Sequence, residues 1–123
     1  LLVPITDVMW KIIDKCGKLN RGEEYLFLSN GLGKKIHADP SAPNRYLTNL
    51  GYRRRQTAHG WRSVFLTNGI EVLKEREVVI RRQMGHLPEG KVSKAYDHSE
   101  LLDERYDFLK NWSNLLVKKG LEV

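Results

Sequence analysis

The sequence predicts a mainly helical protein with a short strand or hairpin. Apolar residues recur at helical spacing in several segments, and Ser, Thr or Asp residues that can cap a helix precede these segments. Glycines follow most of them, as expected at helix ends. The segments that favour a strand are short, at residues 1–5 and 25–28. With 123 residues, the chain is long enough for one domain with one core.

Two helices are predicted in the first half of the chain. Thr6 can cap the first helix, which is expected to run to about Lys15 and to end at Gly17. After a polar loop, Ser41 can cap the second helix, which is expected to end at residues 49–51. The apolar face of the first helix consists of Val8, Ile12 and Ile13, with Met9 or Cys16.

Two short helices are predicted in the middle of the chain. Thr57 can cap the first of these, over residues 58–67, with Asn68 and Gly69 as its stop. The second covers residues 75–84 and ends where a glycine breaks the helical pattern. The side chains expected to pack inward from these two helices are Trp61, Phe65, Val78, Val79 and Met84.

A long helix is predicted to close the chain. Asp97 or Ser99 can cap it, and it is expected to run to about Lys118, with Gly120 as its stop. A short helical turn is expected just before it, at residues 92–96. The apolar residues that share one face of the long helix are Leu101, Leu102, Leu109, Trp112, Leu115 and Leu116.

The chain is basic, with 21 Lys and Arg residues against 15 Asp and Glu and a formal charge of +6. Such a balance favours polyanionic partners, because neutralising phosphates releases counterions. No apolar run approaches the roughly 20 residues that span a bilayer. The single cysteine, Cys16, excludes an internal disulfide and a multi-cysteine zinc site. We therefore expect no membrane partner, no cofactor and no metal ion, and a cytoplasmic location.

His59 and Arg62 lie three residues apart near the start of a predicted helix, so they are expected to share one helix face. The backbone N–H groups and the dipole at a helix N-terminus favour an anion there. An arginine can grip two phosphate oxygens, and a histidine can exchange a proton near neutral pH. The pair therefore favours phosphate binding, although this spacing alone is also typical of a solvated helix face.

His86, after a glycine, and Tyr96 follow His59 and Arg62 in the chain. A tyrosine hydroxyl is a nucleophile, and a covalent intermediate divides one difficult displacement into two steps. Phosphoryl transfer depends mainly on positioning and electrostatic stabilisation, which donor groups beside a tyrosine supply without a metal ion. Alone, His86 is also typical of a helix stop and Tyr96 of a half-buried aromatic. Their joint order favours attack on a phosphodiester.

This order of residues resembles the second half of the tyrosine recombinase, or phage integrase, catalytic domain. The most specific block is Thr57-Ala58-His59-Gly60-Trp61-Arg62-Ser63, and Gln83-Met84-Gly85-His86 and Ala95-Tyr96-Asp97-His98 follow it in the family's order. Residues 2–5, 49–52 and 102–105 are also similar to the family. The resemblance covers nearly the whole chain. It implies that residues 1–123 form a single partial domain, the C-terminal half of the catalytic domain.

The resemblance also implies a role for each residue of the site. Tyr96 would be the nucleophile, which forms a 3′-phosphotyrosyl link and leaves a free 5′ hydroxyl. Arg62 would hold the non-bridging oxygens of the scissile phosphate. His59 would bind the phosphate and assist proton transfer. His86 would hydrogen-bond the phosphate and help to place Tyr96.

Two residues of the family's site have no counterpart in this chain. The first catalytic arginine is expected upstream of residue 1, and the catalytic lysine just before Leu1. Lys34 and Lys35 come at the wrong point in the order, and we interpret them as exposed loop charges. Since losing one transition-state donor commonly costs about a hundredfold, the chain alone is expected to be inactive or crippled.

Arg53, Arg54 and Arg55 lie just before the helix that carries Arg62. They are either DNA-binding residues that contact phosphates or part of a solvated connector, and the sequence favours neither. Tyr106 is a weaker candidate nucleophile than Tyr96, because it lies inside the long predicted helix.

The resemblance implies a site-specific recombinase that integrates or excises a prophage or genomic island. Its partners would be double-stranded DNA attachment sites, and the full-length protein would act as a homo-tetramer. Two other hypotheses remain. A non-catalytic basic helical module would bind DNA with its His and Tyr residues in the core, and a type IB topoisomerase would share the chemistry. Substitution of Tyr96 distinguishes the recombinase from the non-catalytic module. Synapsis of four DNA strands distinguishes the recombinase from the topoisomerase.

Overall fold

The computed structural model describes residues 1–20, 24–29, 37–86 and 101–123. These parts are mainly helical, which confirms the predicted fold class. Their α-helices are α1 (Asp7–Leu19), α2 (Ala42–Leu47), α3 (Gly60–Glu71), α4 (Glu77–Gln83) and α5 (Leu102–Lys118). A π-helical turn, Thr48–Tyr52, follows α2. Extended pairing in the described residues is limited to an antiparallel bridge between Leu28 and His37.

The chain divides into two compact units. Unit 1 comprises Leu1–Asp7 and Arg62–Glu122, and unit 2 comprises Val8–Trp61 with Val123. In the sequence, the long segment of unit 2 is therefore inserted between the two pieces of unit 1. No helix in the described part of the chain is long and apolar enough to cross a bilayer.

The core of unit 1 is built from α3, α4 and α5. Val79, Ile80 and Phe108 are fully buried, and partly buried apolar residues from α3 pack against them. The ring of Phe65 meets the rings of Phe108 and Trp112 edge-on, at centroid distances of 5.0 and 4.9 Å. Such pairs add about 0.5–1.5 kcal/mol each beyond the burial of their area. The predicted inward position of Phe65 is thus confirmed.

Gly69 lies inside α3 and does not end it, as the sequence predicted, because the helix continues to Glu71. A Cβ atom at this position would lie 2.7 Å from Ile80 Cδ1 and 3.1 Å from Phe108 Cζ. The absence of a side chain therefore allows α3 to approach the core closely at this turn. The glycine serves packing between helices and not helix termination.

The inward faces of two helices differ from the prediction. Val78 is 50% exposed, whereas Val79 and Ile80 are fully buried. A run of three apolar residues does not determine which of them face inward, so the pattern could not settle the rotation of α4. Trp61, at the start of α3, is also 50% exposed and not packed inward.

Residues 1–5 were expected to form the end of a strand, and this expectation is wrong: none of them lies in a strand. The segment is held to α5 by side chains instead. Thr6 Oγ1 and Ser113 Oγ share a buried hydrogen bond of 3.0 Å. Arg105, also on α5, donates a hydrogen bond to the backbone carbonyl of Leu2.

In unit 2, α1 passes through Gly17 to Leu19, so the prediction that Gly17 ends it is wrong. The expected side-chain cap by Ser41 at the start of α2 is also absent. Ser41 instead donates its hydroxyl and its backbone N–H to the carboxylate of Asp39. These two hydrogen bonds, the hydroxyl first, hold the pKa of Asp39 below its ordinary value.

Candidate active site

The last turn of α4 ends in a glycine motif that places His86. Gly85 has a φ of 76°, in the left-handed region that favours glycine. Its N–H donates to the carbonyl of Arg82, and the N–H of His86 donates to the carbonyl of Arg81, both at 3.0 Å. This pair of bonds is a Schellman motif. The glycine stop predicted at this position is confirmed, and it fixes the backbone of His86 against the helix end.

Arg62 reaches the same helix end from α3. Its Nη2 donates to the carbonyl of Met84 at 2.6 Å and lies 3.0 Å from Nε2 of the His86 ring. The last carbonyls of a helix lack partners within the helix and carry its partial negative charge. A guanidinium at this position therefore satisfies an orphan carbonyl, and it also holds the imidazole.

The contact between Arg62 and His86 has one chemically consistent form. A guanidinium carries only donors and stays protonated, so Nε2 of His86 accepts the hydrogen bond. The neutral ring then bears its proton on Nδ1. Among the described residues, none accepts a hydrogen bond from Nε or Nη1 of Arg62, so these groups can take an anionic oxygen.

His59 lies one residue before α3, in a turn rather than in the helix as predicted. Its side chain is exposed, and it belongs to unit 2. The backbone around it is well held. The Gly60 N–H donates to Thr57 Oγ1 at 2.9 Å, so Thr57 holds the first residue of α3, although the helix begins at Gly60 and not at Ala58 as predicted. The Ala58 N–H donates to Asn44 Oδ1 at 2.8 Å.

The three consecutive arginines lie in a turn of unit 2 and are all exposed. Arg54 has a φ of 61°, the left-handed conformation that side chains rarely adopt. The guanidinium of Arg55 lies 6.0 Å from the centre of the Tyr52 ring, within the range of a cation–π contact. In the described ranges no acidic side chain pairs with Arg53, Arg54 or Arg55. Their positive charge therefore faces solvent.

Other candidates from the sequence fall outside the described residues. Tyr96 and His98 lie in the range 87–100, and Lys34 and Lys35 in the range 30–36. The roles predicted for them stay predictions. Tyr106 is described and lies on α5 with 37% of its surface exposed.

Sequence reasoning missed one residue beside this site. Arg105 is completely buried, and its Nε donates to Gln83 Oε1 at 2.8 Å, at the end of α4. A signal was available, because Arg105 lies four residues after Leu101 and four before Leu109, on the apolar face of α5. A charged residue within such a face indicates a buried, paired group.

Acidic, histidine and cysteine side chains do not cluster in threes anywhere in the described part of the chain, so no metal-binding group is found there. The chemistry available at the end of α4 is that of a guanidinium and an imidazole. Both are suited to an oxyanion, the first as a charged donor and the second as a proton carrier.

Comparisons with known proteins give distant similarity to integrases. The chain is 26% identical over 122 residues, 96% of its length, to the integrase of Shigella phage Sf6 and to the prophage integrase IntS of Escherichia coli (strain K12). It spans 30% of the length of these relatives. No family model matches the chain. No solved structure matches it either.

Proposed function

We propose that this chain is the C-terminal part of the catalytic domain of a tyrosine recombinase, and that the full-length protein carries out site-specific DNA recombination. The observation that carries the proposal is the hydrogen bond between Arg62 and His86, at 3.0 Å, which joins two residues of the family's motif. The similarity to two integrases over 96% of the chain supports it independently. On the same grounds, we propose that the full-length protein is encoded by a phage or prophage and acts in the cytoplasm.

In the proposed reaction, the Tyr96 oxygen attacks the phosphorus of a DNA phosphodiester. The bond from phosphorus to the 5′ oxygen breaks, and a 3′-phosphotyrosyl link forms. The tyrosine proton passes to a base, for which His59 is our candidate, and the leaving 5′ oxygen takes up a proton. Rejoining reverses these steps with a new 5′ hydroxyl. The phosphotyrosyl bond conserves the energy of the phosphodiester, so ligation needs no nucleotide.

Arg62 and His86 would stabilise the charge that develops on the phosphate oxygens. In the structure, Nη2 of Arg62 is engaged by Met84 and His86, and its other nitrogens can take a non-bridging oxygen. Preorganised donors of this kind are worth about a hundredfold or more each in rate. The family's first arginine and its lysine, the expected acid for the 5′ oxygen, would be supplied by sequence upstream of residue 1.

The partners that follow from this proposal are double-stranded attachment sites, bound by four copies of the full-length protein. Arg53, Arg54 and Arg55 are proposed to contact DNA phosphates. Sedimentation of the full-length protein with and without attachment-site DNA tests the assembly. A species of four protomers on DNA is expected, and a strict monomer in both conditions would contradict it.

The test of the chemistry uses attachment-site DNA with a nick near the cleavage point, which traps the covalent intermediate. The full-length protein, its Tyr96→Phe variant and the 123-residue chain are incubated with it, and adducts that survive detergent are counted. We expect adduct with the full-length protein, none with Tyr96→Phe and almost none with the chain alone.

A Tyr106→Phe variant is the matched control, because it removes a different tyrosine hydroxyl. It should leave the adduct unchanged. If the full-length protein binds DNA tightly yet forms no adduct, or if Tyr96→Phe still forms one, the recombinase proposal is wrong. The first of these results would favour a non-catalytic basic DNA-binding module instead.

A further inference from the structure

Arg105 is a charged side chain with no exposed surface, in the first turn of α5. Burying a charge is costly unless its donors are paired. Its Nε donates to Gln83 Oε1 at 2.8 Å, and its Nη2 donates to the backbone carbonyl of Leu2. No buried side-chain nitrogen or oxygen in the described residues lacks a partner. The arginine thus joins three parts of unit 1: α5, α4 and the segment Leu1–Asp7.

The residue that Arg105 holds on α4 is next to the candidate site. Gln83 is the last residue of α4, and the carbonyl of the next residue, Met84, accepts the hydrogen bond from Arg62. The segment held through Leu2 also reaches this helix end, since Leu1 Cδ2 would lie 3.4 Å from a Cβ at Gly85. Arg105 and Arg62 therefore fasten neighbouring residues of one helix terminus.

We propose that Arg105 is a positioning residue for the pair formed by Arg62 and His86, acting through Gln83. This inference rests on the proposed function, since the pair is the phosphate-binding part of that site. Helix ends fray unless their terminal groups are held. Without the Gln83 bond, the last turn of α4 loosens, and Met84 and His86 move away from Arg62 Nη2.

A role in stability alone must be separated from this positioning role. Ser113 offers the comparison, because it is another buried polar residue of α5 and bonds the same N-terminal segment through Thr6, at 3.0 Å. Among the described residues, no hydrogen bond joins its hydroxyl to α4. Ser113→Ala should lower the stability of unit 1 without disturbing the end of α4.

The first readout is the tautomer of His86, observed by NMR of the 123-residue chain labelled with 15N-histidine, at a pH where the ring is neutral. Wild type is expected to show Nε2 unprotonated and accepting. Gln83→Met, which removes the acceptor but keeps Arg105, should give a mixture of tautomers. Gln83→Glu, whose carboxylate still accepts from Arg105, should restore the wild-type signal, and Ser113→Ala should retain it.

Gln83 is varied first because Arg105→Met itself can prevent folding. If Gln83→Met leaves the His86 signal unchanged, or if Ser113→Ala changes it as much, the proposal is wrong. The second readout is adduct formation by the full-length protein at a temperature where all variants are folded. Gln83→Met should reduce it about tenfold or more, because small misplacements of catalytic groups are costly, while Gln83→Glu and Ser113→Ala stay within about twofold.

The two readouts also separate this inference from the proposed function. The NMR signal requires no DNA chemistry, so it tests the coupling from Gln83 to His86 even if no adduct forms in any variant. Absence of a Tyr96-dependent adduct would overturn the proposed function. An unchanged His86 signal would overturn the positioning role of Arg105.

Discussion

At the scale of single residues, one nitrogen of Arg62 makes two contacts. Its Nη2 satisfies the carbonyl of Met84 at the end of α4 and approaches the imidazole of His86. The first contact stabilises a helix terminus, and the second sets the tautomer of a candidate catalytic group. Both contacts depend on the position of the same planar guanidinium group. That position therefore links the stability of the end of α4 to the proposed chemistry.

This double role predicts the effect of Arg62→Lys in the full-length protein. A lysine keeps the charge but has no planar fork, so it cannot reproduce both contacts and still grip a phosphate. We expect the yield of covalent adduct on nicked DNA to fall about a hundredfold or more.

Arg81→Lys is the matched control for that experiment. Arg81 is on α4 and is half-exposed, and its side chain pairs with Glu77 at 2.5 Å and not with Arg62 or His86. Its replacement should change the adduct yield by less than about twofold, as for most exposed ion pairs. Equal yields for wild type and Arg62→Lys would rule out a role for the fork.

Residue order was enough to predict that Arg62 and His86 belong together, and they lie within hydrogen-bond distance in the fold. Residue order placed Gln83 in a block that resembles the family, but it did not predict which residue Gln83 contacts. The contact from Gln83 to Arg105 joins positions 22 apart in sequence, and no local spacing rule connects them. Such pairings depend on how the helices pack, which single residues do not reveal.

At the scale of elements, two helices contain interior glycines with opposite surroundings. Gly69 in α3 faces the core, where an added Cβ would come within 2.7 Å of Ile80 Cδ1. Gly17 in α1 has open space, with nothing within 4 Å of the position of a Cβ. Glycine is therefore required for close packing in α3, whereas in α1 it only lowers the stability of the helix.

The same substitution should consequently have opposite effects on the free energy of unfolding. Gly69→Ala should destabilise by roughly 1–3 kcal/mol, because it overpacks the core. Gly17→Ala should stabilise by roughly 0.5–1 kcal/mol, because alanine is the better helix former. Urea titrations followed by helical circular dichroism measure both. An increase in stability for both variants would mean that the close approach at Gly69 is not required.

The existence of the helices could be predicted from apolar spacing and caps, but their ends and rotation could not. Gly17 and Gly69 were both interpreted as stops, although only packing decides whether a helix continues past a glycine. Gly85 does end its helix, since there the backbone turns to positive φ. Sequence shows where glycines occur, but it does not show which of them adopt the left-handed conformation.

At the scale of the whole molecule, the net charge of +6 is accompanied by a local concentration of positive charge. Arg53, Arg54 and Arg55 are exposed and consecutive, without an acidic partner among the described residues. Affinity for DNA that arises from phosphate contacts falls as salt rises, with a slope set by the number of phosphates neutralised.

We therefore predict that replacing all three arginines by glutamine reduces the slope of log K against log salt by about 2–3 for DNA binding by this chain. A control that removes three exposed lysines of the C-terminal region, Lys110, Lys118 and Lys119, changes the net charge equally. Its slope should fall by less than about 1. Fluorescence anisotropy at several salt concentrations measures both. Equal slopes for the two variants would show that net charge, not the arginine run, determines binding.

The division into two units could not be predicted from sequence. The length alone suggested one core, and no periodic pattern connects Leu1–Asp7 to the second piece of unit 1. The hydrogen bond from Thr6 to Ser113 joins residues 107 positions apart, far beyond the range of helix and strand periodicity.

This insertion also determines the order in which the chain can fold during synthesis. All of unit 2 except Val123 has been translated once the ribosome has passed Trp61. The hydrogen bond of Thr6, in contrast, cannot form until Ser113 has been translated, 107 residues later. At about 5–20 residues per second, that delay is roughly 5–20 s. During this interval the two hydrogen bonds that hold Leu1–Asp7 to α5, between Thr6 and Ser113 and from Arg105 to the carbonyl of Leu2, cannot form.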